Sequence, residues 1–202
     1  MRLAEWIQHL EGLSRLTGSA VPLLPPDRTL LAGERGEQLL WRACTGEDTA
    51  WRQAVRARGV DQRTPLLEPD AYLAIEVWAE CELSALHALH RLVRTGAGAA
   101  GGAAPAATLR LRLEGALHWH LEHTQPDNST NRPWALHAFL LLAEARGSAD
   151  PIAREATLYA ETLVHNVVAT HAREEPLSRW ILADAARELA LARAAAASRP
   201  SD

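Results

Sequence analysis

Apolar residues in this chain recur three and four positions apart in segment after segment, and nowhere do they alternate for the length of a strand. That spacing closes an apolar stripe along a helix, whereas a half-buried strand needs a period of two. Leu3, Trp6, Ile7, Leu10 and Leu13 form the first stripe. Helical pattern returns over Glu37–Cys44 and Glu47–Arg58, where Trp41, Trp51 and Val55 face inward. Pro69 and Asp70 open a long helix reaching about Arg94, with Leu73, Val77, Trp78, Cys81, Ala85, Ala88, Leu89 and Leu92 on its apolar side. Its second stripe, Glu76, Glu80, Leu83, His87, His90 and Arg94, runs from acid to base as the helix dipole favours. Further helices are predicted over 108–123, 132–146 and 151–172, and a last one runs from Pro176 into the alanine-rich tail. The expected fold is all-α. Helix pairs of unequal length point to stacked hairpins, as in helical repeats or an α/α toroid, with about six to eight helices and no sheet.

Glycine and proline divide the chain. Residues 17–36 hold three prolines and three glycines and carry no periodicity. With the flanking helices they make an N-terminal segment, 1–66, ahead of a main bundle at 67–197. Within that bundle TGAGAAGGAAPAA, residues 95–107, reads as a flexible linker, and 198–202 as a disordered tail.

Composition excludes several function classes. All 21 basic residues are arginine, so no Schiff-base lysine, phosphate-loop lysine or lysine base exists. A net charge of −4 argues against a general nucleic-acid binder, which needs basic surplus to displace counterions. The arginines at 42, 52, 56, 58 and 63 read as a solvated face. No long uncharged apolar run spans a membrane, and the first residues lack the apolar core of a signal peptide. Cys44 and Cys81, without a CxxC, read as buried thiols of a cytoplasmic protein.

The densest concentration of chemistry is HWHLEHTQPDNSTNRPWALH, residues 118–137, with four of the nine histidines around a polar loop. His120 falls on the stripe of Leu109, Leu113 and Leu117 and reads as a hydrogen-bonded core histidine. The following helix is apolar nearly all round, which marks it as central, and His137 lies one turn inside it. Caps and turns account for much of the loop, with Thr130 or Asn131 as helix cap and Pro133 in the first turn. The same residues would also build a pocket. His123, Asp127, Asn128, Asn131, Arg132 and Trp134 are the mixture that holds a sugar or carboxylate, with His137 and His165 as candidate proton-transfer groups.

Glu5/His9, Glu114/His118 and Glu161/His165 are one turn apart, but neither HExxH nor paired ExxH is present. Were a metal bound, His118, His123, His137 and His165 would be its ligands; no cofactor is otherwise implied. With no GxSxG elbow, the leading expectation is a non-catalytic all-α scaffold or interaction protein, engaging an unknown protein or itself. Seven tryptophans supply core and interface anchors. The alternative is an enzyme or binding domain for a small polar ligand, with or without a metal, at the 123–137 loop.

Overall fold

The computed structural model describes residues 1–15, 63–95, 103–126, 130 and 132–198. Among them lie six α-helices and no strand: α1 (Leu3–Ser14), α2 (Ile75–Thr95), α3 (Ala103–His123), α4 (Leu136–Arg146), α5 (Pro151–Ala169) and α6 (Pro176–Ala197). The fold is all-α. The helices expected within 37–58, the proline- and glycine-rich segment, Cys44, most of the arginine cluster and the tail from 199 lie outside the described residues. So do 96–102 of the expected linker.

The chain divides into two compact units. One holds α1 with α4, α5 and α6, so that the first helix belongs with the last three across more than a hundred residues. In α1, Trp6, Leu10 and Ser14 are the buried stripe, and the helix packs against α6. Its start is held by Glu5, which accepts the backbone N–H of Arg2 at 2.9 Å and its guanidinium Nε–H at 3.1 Å. These bonds to Arg2 hold the Glu5 carboxyl below the ordinary carboxylate range.

Helix α4 is the centre of this unit and packs against both α5 and α6. Leu136 to Leu140 are buried in unbroken succession, as its all-round apolar sequence requires. It begins later than its composition suggests. Pro133 and Trp134 form a tight bend, with the Trp134 N–H bonded to the Arg132 carbonyl at 2.9 Å, and Ala135 sits in the left-handed region at φ 57°. The expected caps at 130 and 131 therefore precede the helix by a full turn. Gly147, at φ 81°, ends α4 in a conformation that favours glycine. The Asp150 carboxylate then accepts the Ile152 N–H at 2.8 Å, and Pro151 opens α5 as predicted. The Phe139 and Tyr159 rings stack at 4.2 Å, fixing α4 and α5 as an antiparallel hairpin.

The second unit contains residues 63–67, α2 and α3. Pro69 and Asp70 make a single 3₁₀ turn and not the start of α2, which begins at Ile75. Leu73 consequently lies outside the helix and is wholly exposed, not part of its stripe. From Cys81 to Leu89 every residue of α2 is buried. Helix α3 starts at Ala103, five residues ahead of expectation. Pro105 is tolerated there because first-turn N–H groups have no helical partner in any case. Trp78 near the start of α2 meets Trp119 near the end of α3, so these two helices are also antiparallel.

Candidate functional site

The sequence-predicted residues fall into both units. His118 and His123 are on α3; Arg132, Trp134, His137 and His165 belong with α4 and α5. Asp127, Asn128 and Asn131 lie outside the described residues. Trp134 and His137 are wholly enclosed in the core of the first unit, and neither presents an edge to water. His165 is exposed on α5. The Arg132 guanidinium Nε–H donates to Glu175 at 3.3 Å, an ion pair half open to solvent and worth at most about 1 kcal/mol. His118 is buried, whereas His123 lies outside on the helix end, stacked on Trp119 at 4.9 Å. The His123 Nδ1–H donates to the Trp119 carbonyl at 2.9 Å. Among the described residues no three His, Cys, Asp or Glu side chains are grouped to hold a metal ion.

The strongest concentration of buried polar chemistry lies elsewhere, between α2 and α3. Glu82 is wholly buried and Arg112 is 1% exposed. One Glu82 carboxylate oxygen accepts the Leu66 N–H at 2.6 Å and the other accepts the Leu67 N–H at 2.7 Å. Arg112 donates from one guanidinium nitrogen to the Thr64 carbonyl at 2.8 Å and from another to the Pro65 carbonyl. The Trp78 indole N–H donates to the Leu67 carbonyl at 3.1 Å. Five hydrogen bonds thus hold four consecutive residues by their backbone, and the Leu66 side chain is buried among them. Burying a charge costs several kcal/mol unless good bonds return it. Here charge-assisted bonds to peptide groups do so.

His120 continues this cluster. Its Nε2 lies 3.4 Å from the Glu82 carboxylate, its Nδ1 lies 2.8 Å from the Thr124 hydroxyl, and its ring stacks on Trp78. An ionised carboxylate only accepts, so Nε2 carries a proton. The one Thr124 hydroxyl proton is shared between two acceptors, the His120 Nδ1 and the His120 carbonyl. The order hydroxyl, imidazole, carboxylate is that of a nucleophile, its base and an orienting acid. The same hydroxyl also reaches the His120 carbonyl at 3.1 Å, an ordinary back-bond at a helix end.

Sequence reading placed His120 in the core and passed over Glu82, Arg112 and Thr124. A signal was present. Glu82 falls on the apolar side of α2 with Trp78, Ala85 and Leu89, and Arg112 falls beside Leu109 and Leu113 on α3. A charge on a buried stripe requires a partner, but 38 residues separate Glu82 from His120, and spacing alone cannot join them.

Open surface is found in the first unit. A groove of about 530 Å³ runs between the start of α1, α4 and α5, with Met1, Leu3, Trp6, Leu140 and Leu158 among its lining and Glu144, Arg154 and Glu161 beside them. A second groove, about 540 Å³, lies on the other side of the α1 start, against α4 and α6. Among the described residues no helix is long and apolar enough to cross a membrane.

Known proteins offer no further guide. No protein-family model, curated protein or solved structure matches this chain.

Proposed function

We propose that this chain is a non-catalytic helical interaction protein of the cytoplasm that takes a helix of a partner protein into the groove between α1, α4 and α5. The observation that carries this is the groove itself. Its aliphatic lining includes Leu158 and Met1, both more than half exposed, and the charged lining residues are Glu144, Glu161 and Arg154, a net acidic set. That surface suits an amphipathic helix with aliphatic anchors and a basic edge. The Trp6 indole N–H, enclosed beside the groove, has no acceptor among the described residues, which leaves a donor for a partner's oxygen after a small shift. The test is selective. Leu158→Asp should abolish capture of a defined partner, while Leu111→Asp, at the exposed leucine of α3, should leave it intact. Equal loss with both, or with neither, overturns the groove as the binding face.

One observation favours a second reading, an enzyme or binding domain for a small polar ligand at the 123–137 loop. Thr124, the first residue after α3, has its hydroxyl in line with His120 and Glu82. In that reading His123, beside Thr124, meets the ligand, and His120 takes the proton-transfer role expected of His137 and His165. A fluorophosphonate probe should then label Thr124, and His120→Ala should abolish labelling. An unlabelled, folded protein dismisses this reading.

A further inference from the structure

The groove between α1, α4 and α5 has a charge order that follows from how α4 and α5 pair. The Phe139 and Tyr159 rings stack at 4.2 Å in an antiparallel hairpin, which sets Leu140 level with Leu158 and Glu144 level with Arg154. All four of these line the groove. On α5 the lining recurs at Arg154, Thr157, Leu158 and Glu161, the spacing of one helical face. The groove therefore has three levels over about 10 Å of α5, at a rise of about 1.5 Å per residue. Glu144 and Arg154 oppose one another in charge at the level nearest the Gly147 turn. Leu140 and Leu158 make an apolar middle. At the third level Glu161 has no facing base among the described residues. The position level with it on α4 is His137, which is wholly buried and is not part of the lining. Met1, Leu3 and Trp6 form the α1 side and bring no charged side chain to it.

We propose that the groove selects its partner helix by one basic residue, an arginine or lysine placed over Glu161, one turn away from aliphatic anchors that cover Leu158 and Leu140. This rests on the groove reading given above and adds the partner's register to it. A helix lying along α5 presents its own face every three or four residues, so its side chains fall at the same three levels. Aliphatic anchors belong at the middle level, where Leu158 is 57% exposed.

The level at the turn does not discriminate by charge. A partner acid there meets Glu144 as well as Arg154, and a partner base meets both in the opposite sense. Only the Glu161 level tells the two apart, because a base is attracted there and an acid repelled. Docking also removes water from one side of the carboxylate, which strengthens both effects over those of an open surface pair.

The experiment uses the full chain and two fluorescent alanine-based helical peptides of about twenty residues, long enough to hold a helix in water, read by anisotropy. Both carry leucines at i+3 and i+4; one has arginine at i+7 and the other glutamate. The arginine peptide should bind about tenfold tighter at low salt. Glu161→Gln should erase that preference and Glu161→Arg should invert it. Glu161 is exposed, so neither change disturbs the core. Salt at about 1 M should also erase the preference while the apolar part of binding persists. Equal binding of both peptides by the wild type, lost in Leu158→Asp, overturns this inference and leaves the groove reading standing. If neither peptide binds, the groove reading falls and this inference with it. An arginine preference that survives Glu161→Arg puts the selecting charge elsewhere and overturns the assignment to Glu161.

Discussion

A carboxylate sealed from water, as at Glu82, is stable only while each oxygen has a donor, and the Leu66 and Leu67 N–H groups supply them. Removing the carboxylate strands two peptide N–H groups in an enclosed site. Glu82→Ala should therefore cost about 3 kcal/mol in urea denaturation, well above the loss expected from a surface glutamate. Gly147 illustrates a different constraint. Its backbone is left-handed, and an added Cβ would meet nothing within 4 Å, so any penalty is conformational and not steric. Gly147→Ala should cost about 1 kcal/mol, seen as a lowered Tm with no change in packing. His171 is the converse case, an exposed histidine at φ 59° just after α5. His171→Gly should raise stability by about 0.5 kcal/mol.

At the scale of the element, α1 shows how a single side chain sets a pH dependence. Its folded carboxyl is lowered by the bonds from Arg2, so Glu5 binds its proton less readily in the folded chain than in the unfolded one. The stabilisation is full above the ordinary carboxylate range and is lost as pH falls through the lowered value. Amide exchange at Glu5 and Trp6 should accelerate in acid, and Glu5→Gln should remove that dependence while fraying the helix start at neutral pH. The α4–α5 connection depends instead on a cap. Asp150→Ala should cost about 1 kcal/mol through the lost bond to Ile152.

At the scale of the molecule, α1 and the last three helices form one unit although α1 stands at the other end of the chain. Trp6 and Leu10 are almost wholly buried there, and each contributes about 2 kcal/mol of burial. Deleting residues 1–15 should shift the unfolding of that unit to lower urea and leave the α2–α3 unit, followed by Trp78 and Trp119, nearly unchanged. A single coincident shift of both would show that the units do not unfold separately.

What was legible in the amino acids alone is what periodicity and local caps encode: helices and no strands, the all-round burial of α4, and the Asp150-Pro151 start of α5. These depend on residues within a turn or two of one another, where spacing translates directly into a shared face. Tertiary structure decided where charge goes. Glu82, Arg112 and His120 lie on three separate turns of two helices, and the peptide groups that Glu82 and Arg112 bind belong to residues 64–67, outside both helices. The polar loop after α3 drew attention because its chemistry is contiguous in sequence. The cluster between α2 and α3 is contiguous only in space, since a buried ion chooses its partner by distance and solvation, and neither is written in the order of the residues.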